Sequence, residues 1–240
     1  GEGGVHGWQR PTKTMLEVMT PYLLGQDPAR IEHHYQWLYR SSHFMGSVVQ
    51  GALSAIDIAL WDIKGKALGV PIYDLLGGKV RDKEVCYPHN RGHSLEVGPL
   101  VDSCLETKEA GWKFVRWGLP QDGNILEPRQ AVLMAIKQFH AVREAVGEEI
   151  EITFDVHTRL DLPDVIWLCR EIESTRPFFI EDPLRCENPN SFKTLRPRVH
   201  VPLAAGEQFS SKWEFRELFE EEWIDYARID LCIAGGITEA

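Results

Sequence analysis

Three observations predict a parallel α/β fold of the barrel type. Three acids each follow a short apolar run of strand character, the intervals between them are equal, and beyond about residue 83 successive helices give way to alternating strand and helix. Asp155 ends Ile150 to Phe154, Glu181 ends Pro177 to Ile180, and Glu207 follows Val201 to Ala205, with 26 residues in each interval. That interval suits one strand, one helix and two short loops. Repeated, it carries three carboxylates to one edge of one sheet, and in a closed (β/α) barrel that edge is the active-site face. Converging carboxylates repel one another unless a cation sits among them, and all-oxygen ligation selects a hard ion such as Mg²⁺. The alternative is that each acid caps the helix after it, although Glu is a poor cap and the interval recurs.

Residues 11 to 76 read as helical. Pro11 marks a start, and Met15, Leu16, Met19, Tyr22 and Leu23 follow at helical spacing. A second helix is expected from Pro28 to about Tyr39, and a third from Ser47 to Leu68. The third has almost no polar face and should be buried, so its Asp57 and Asp62 require partners, for which Lys64 and Lys66 are candidates. Gly69-Val70-Pro71 stops it, and a short turn from Ile72 to Leu76 closes on Gly77-Gly78. Six strands are expected next: Val85 to His89, Trp112 to Trp117, Ile150 to Asp155, the runs reaching Glu181 and Glu207, and Ile224 to Asp230. The helices between them are expected at Leu95 to Ala110, Glu127 to Val146, Leu162 to Glu173, Ser191 to Leu195 and Lys212 to Glu220. Trp112, Trp117, Trp167 and Trp213 are assigned to the core by their places in these elements. A closed barrel requires more than six strands, and an open sixth strand leaves an unpaired edge. With Gly1-Glu2-Gly3-Gly4 at one end and Gly235-Gly236 near the other, the chain reads as part of a longer polypeptide: a capping domain over 1–80 and a barrel over 81–240.

Composition narrows the function. The net charge of −10 argues against a nucleic-acid partner, and no apolar run reaches the length of a membrane helix. An acid substrate would have to be captured by local cations or a metal. The five cysteines Cys86, Cys104, Cys169, Cys186 and Cys232 have no CxxC spacing and read as reduced thiols of a cytoplasmic protein.

Asp155-x-His157, Ile180-Glu181-Asp182-Pro183, Ala204-Ala205-Gly206-Glu207 and Asp230 followed by Ala234-Gly235-Gly236-Ile237-Thr238 resemble the enolase superfamily, in its mandelate racemase subgroup. Ala55-x-Asp57-x-Ala59-Leu60-Trp61-Asp62 and Leu75-Leu76-Gly77-Gly78 look like that family's capping domain running into its barrel. The resemblance implies a modified (β/α)₇β TIM barrel under an α+β cap, with one Mg²⁺ held by Asp155, Glu181 and Glu207. It also implies removal of the proton next to a carboxylate, chemistry in which enolase-superfamily sites use a Lys or His base with Mg²⁺.

Other positions separate the reactions of the subgroup. Where its racemases carry Lys-x-Lys, this chain has Arg116 and Gly118. Arginine is a poor proton acceptor and a good bidentate partner of a carboxylate, so Arg116 is expected to meet either a substrate or a neighbouring acid. His157 lies two residues past Asp155, on the same side if the strand continues, and matches the general acid of acid-sugar dehydratases of the galactonate and mannonate type. Asp230 matches the Asp that charges and orients a catalytic His on the following strand, with an ion pair to Arg228 as the structural alternative. The resemblance thus points to a Mg²⁺-dependent, galactonate dehydratase-like hydro-lyase acting on a small acid sugar in a homo-oligomer, without nucleic acid or membrane. The other readings are a racemase or epimerase of the same subgroup and a non-catalytic fragment or scaffold.

Overall fold

The computed structural model describes residues 1–41, 43–90, 96–120 and 127–240. They form two compact units, one of Gly1–Glu84, Gly206–Arg216 and Ile229–Ala240, the other of Val85–Ala205 and Glu217–Arg228.

In the first unit four helices follow one another: α1 (Gln9–Leu23), α2 (Ile31–Arg40), α3 (Ser47–Leu68) and α4 (Ile72–Leu75). The core is Met19, Ile31, Tyr35, Leu38, Ala52, Leu53, Ile56 and Leu60, the apolar stripes of α1, α2 and α3. The expected start of α2 at Pro28 is corrected to Ile31. Asp27 Oδ1 accepts the Ala29 N–H at 2.9 Å and the Asp27 carbonyl accepts that of Arg30, so these residues form a turn before the helix. The bounds of α3 are those expected, and Gly69 ends it at φ +71°. Gln50 to Asp57 are all buried, whereas Ile63 and Leu68 near its end are exposed.

The two acids of α3 find different partners. Asp62 meets Lys66 at 2.6 Å on the surface. Asp57, 1% exposed, is corrected: Thr238 supplies both its backbone N–H, at 3.0 Å, and its hydroxyl. Ser54 Oγ accepts the Gly235 N–H at 3.0 Å, and Trp61 Nε1 donates to Thr238 Oγ1 at 2.9 Å. Ser54, Asp57 and Trp61 of a largely apolar helix therefore hold Gly235 and Thr238.

In the second unit the order is α5 (Val97–Glu109), β1 (Phe114–Gly118), α6 (Pro128–Val146), β2 (Glu151–Asp155), α7 (Leu162–Ile172), β3 (Phe179–Glu181), α8 (Asn190–Leu195) and β4 (Leu203–Ala205). After α9 (Lys212–Glu220), of which the end from Glu217 lies in this unit, comes β5 (Tyr226–Ala227). The five strands are parallel and lie side by side in chain order, as the α/β expectation requires. Trp117, Phe139 and Phe154 fill the space between sheet and α6, with ring centroids 5.0 to 5.6 Å apart. The indole N–H of Trp117 is satisfied by Gln138 Oε1 at 3.0 Å.

Several expectations change here. Val85 to His89 is not a strand; the segment is tied to β1 at its end, where Asn90 N donates to the Arg116 carbonyl at 2.7 Å and Asn90 Oδ1 accepts the Arg116 N–H at 2.9 Å. A side-chain amide there takes the place of a ladder acceptor. The expected helix start at Leu95 lies outside the described residues. The expected strand from Ile224 to Asp230 contracts to Tyr226–Ala227. Asp230 instead heads a turn in the first unit, its Oδ1 accepting the Cys232 N–H at 2.8 Å and its carbonyl those of Ile233 and Ala234. Of the tryptophans assigned to the core, Trp117 is buried, but Trp112 and Trp213 are exposed, the latter under Lys212. All five cysteines are free thiols, and burial pushes those of Cys104 and Cys169 up to about 12. Among the described residues no helix is long and apolar enough to cross a membrane.

Candidate active site

Neighbouring parallel strands bring the site together in the second unit. Asp155 and Glu181 are the last residues of β2 and β3, and they lie opposite one another in the register. Both are fully buried. Two carboxylates a strand spacing apart, about 5 Å, require positive charge, and the structure supplies it. Arg116 of β1, 5% exposed, donates through Nη2 to Asp155 Oδ2 and lies 3.4 Å from Glu181 Oε2. Arg228, which follows β5 by one residue, donates through Nε to Glu181 Oε1 at 2.6 Å. Charge-assisted pairs of this kind offset the cost of burying the two carboxylates.

His157 joins the cluster by a route that strand alternation does not describe. β2 stops at Asp155, and the chain turns through a left-handed His157 at φ +53° and Thr158 at φ +57°. The turn is held by Asp155 Oδ1, which accepts the His157 N–H at 2.7 Å, and it brings His157 Nε2 within 2.7 Å of Asp155 Oδ2. The ring keeps one face open, with its side chain 48% exposed. Gly118 lies beside the ring, and a Cβ there would stand in ordinary contact with it, 3.6 Å from His157 Cε1.

Two further residues belong to this cluster. Arg116 Nη1 lies 3.0 Å from His89 Nδ1, and the Arg228 guanidinium sits 5.4 Å over the Tyr87 ring. Burial, and then the negative charge of Glu181, raise the Tyr87 hydroxyl above its ordinary value. In the sequence His89 only ended an expected strand, Arg228 entered only as the alternative ion-pair partner of Asp230, and Tyr87 had no role. The signal available was the spacing of Tyr87 and His89, two apart at the end of an apolar run.

The remaining expected site residues belong to the first unit. Glu207 comes two residues after β4 and is half-buried, and Asp230 is half-buried in its own turn. Within the second unit, Asp155 and Glu181 are hard oxygen donors already held in register, which suits a divalent cation such as Mg²⁺.

Comparison with known proteins gives this arrangement a setting. A family model described as enolase C-terminal domain-like matches residues 100–240, and one for the mandelate racemase / muconate lactonizing enzyme N-terminal domain matches residues 1–77. The chain is 37% identical over 240 residues to D-galactonate dehydratase of Verminephrobacter eiseniae and to that of Pectobacterium atrosepticum. Those alignments cover 100% of this chain and 62% of each relative, so the chain spans less than two thirds of the length of the curated relatives it matches. A crystal structure of an enolase from Pantoea ananatis with bound D-gluconate and Mg superposes with a TM-score of 0.87 at 30% identity, over 96% of this chain and 63% of that one.

Proposed function

This chain belongs to the mandelate racemase / muconate lactonizing enzyme family of the enolase superfamily, and on that premise we propose that it forms the capping region, 1–80, and the first part of the barrel, 81–240, of a Mg²⁺-dependent acid-sugar dehydratase. The observation that carries the proposal is the convergence of Arg116 from β1 and His157 from the turn after β2 on Asp155 and Glu181, at the C-terminal ends of the adjacent parallel strands β2 and β3. The reaction is loss of water from an aldonic acid of the galactonate type, giving a 2-keto-3-deoxy acid. The partner is that small acid sugar, and the protein works as a cytoplasmic homo-oligomer.

Asp155 and Glu181, with Glu207, are assigned to the metal. When bound, the ion supplies Lewis-acid stabilisation of the charge that develops on the substrate carboxylate as the α-proton leaves. Arg116 is assigned a substrate oxygen, a reading supported by its pairing with two carboxylates through its guanidinium fork. His157 protonates the departing 3-hydroxyl. Its contact with Asp155 orients the ring, and its open face admits the leaving oxygen. Asp230 is assigned to the partnering of a His base on the strand that would follow, as the resemblance implies. With Arg116 where a two-base racemase has its first lysine, a second proton acceptor is missing from that side, which favours elimination over racemisation.

The test is His157→Asn in the full enzyme. Mg²⁺ binding and exchange of the α-proton with solvent deuterium should persist, while formation of 2-keto acid falls by roughly 10²- to 10⁴-fold, the range for losing a general acid. Dehydration at the wild-type rate would remove His157 from the acid role. A panel of aldonic and aldaric acids, with EDTA as control, identifies the substrate.

A further inference from the structure

We infer that Arg116 opposes the divalent cation, keeping its affinity low until an anionic substrate arrives. The inference rests on the metal assignment of the preceding section and adds to it a regulation of the same site. Asp155 Oδ2 and Glu181 Oε2, the oxygens that face Arg116, both lie within reach of its Nη2, and Glu181 Oε1 is taken by Arg228 Nε at 2.6 Å. Two fully buried carboxylates are therefore matched by two guanidiniums. A cation drawn to those carboxylates meets two fixed positive charges within the same few ångströms, at a depth where water screens them little.

Arg116 is the stronger opponent of the two. It touches both carboxylates, and its side chain is 6% exposed against 32% for Arg228. A substrate carboxylate reverses its effect. The incoming anion gives the guanidinium a new partner, which releases Asp155 and Glu181 to the cation. Part of the cooperation between metal and acid then belongs to Arg116 and not to direct bridging of the two ligands.

The experiment is titration calorimetry of Mg²⁺ into the protein, alone and with a 3-deoxyhexonate, an aldonate that lacks the hydroxyl to be lost. Wild type is compared with Arg116→Met, Arg116→Gln and Arg116→Lys, each checked for folding by circular dichroism. The neutral variants should bind Mg²⁺ alone about tenfold more tightly than wild type and show a correspondingly smaller gain on adding the acid. Arg116→Lys should behave as wild type. Two neutral variants are used because Gln keeps a donor toward Asp155 and folds more readily than Met. Neutral variants that bind Mg²⁺ alone no better than wild type overturn the inference and leave the metal assignment standing. Absence of Mg²⁺ binding by wild type even with the 3-deoxyhexonate present overturns both.

Discussion

At the scale of single residues, buried charge is what the chain manages most carefully, and it does so differently in its two units. Asp155 and Glu181 are neutralised by arginines. Asp57 takes hydrogen bonds from residues 237 and 238, and burial, the larger effect, raises its carboxyl above the ordinary value despite them. The sign for stability follows. An acid that binds its proton more tightly in the folded protein than in the unfolded chain loses stability for the fold as pH rises above the unfolded value, near 3.8, toward the folded one. Urea denaturation of wild type and Asp57→Asn across pH 3.5 to 7 should therefore show the wild type losing ground to the variant as pH rises, then a plateau. A wild-type advantage that grows with pH would mean that the Thr238 donors outweigh burial.

At the scale of elements, helix ends and close approaches decide which glycines are replaceable. Gly69 ends α3 at φ +71°, with no atom within 4 Å of a Cβ built on it. Gly236 is also left-handed, at φ +79°, but its Cβ would meet Asp57 Oδ2 at 2.4 Å. Gly69→Ala should cost only the conformational penalty, about 1 kcal/mol. Gly236→Ala adds overpacking against a buried carboxylate and should cost roughly 2–4 kcal/mol in total. Equal losses for the two in thermal melts would show that residues 235 to 238 yield to the added methyl. The helices were the most legible elements: α3 runs from Ser47 to Leu68 as expected, because apolar side chains at helical spacing have one way to be buried together. The flanking strands were less legible. Asn90 replaces a ladder contact with its side chain, and Ile224 to Asp230 pairs over only Tyr226–Ala227, both outcomes of pairing partners that local pattern does not encode.

At the scale of the whole molecule, the consequence to check is linkage between cation and fold. A ligand that binds only the folded protein stabilises it by about 2.7 kcal/mol at a hundredfold excess over its Kd. Mg²⁺ at that level should raise the melting temperature by several degrees, EDTA should reverse the shift, and Asp155→Asn should abolish it. An unchanged melting temperature at saturating Mg²⁺ would count against cation binding to the folded state. The net charge of −10 makes a nonspecific rise with any divalent salt the relevant control, supplied by the same titration on the variant.

The amino-acid sequence by itself determined the α/β class and the place of Asp155 and Glu181 at strand ends, because a repeated interval of 26 residues suits one strand, one helix and two short loops, and the motifs around those acids carried the resemblance to the family. Only the tertiary structure decided which charges meet. Arg228 reaches Glu181 across 47 positions of sequence, Asp57 receives Thr238 across 181, and His157 returns to Asp155 through a left-handed turn. Such pairings depend on side-chain reach and backbone handedness at a few points, which composition and periodicity do not record.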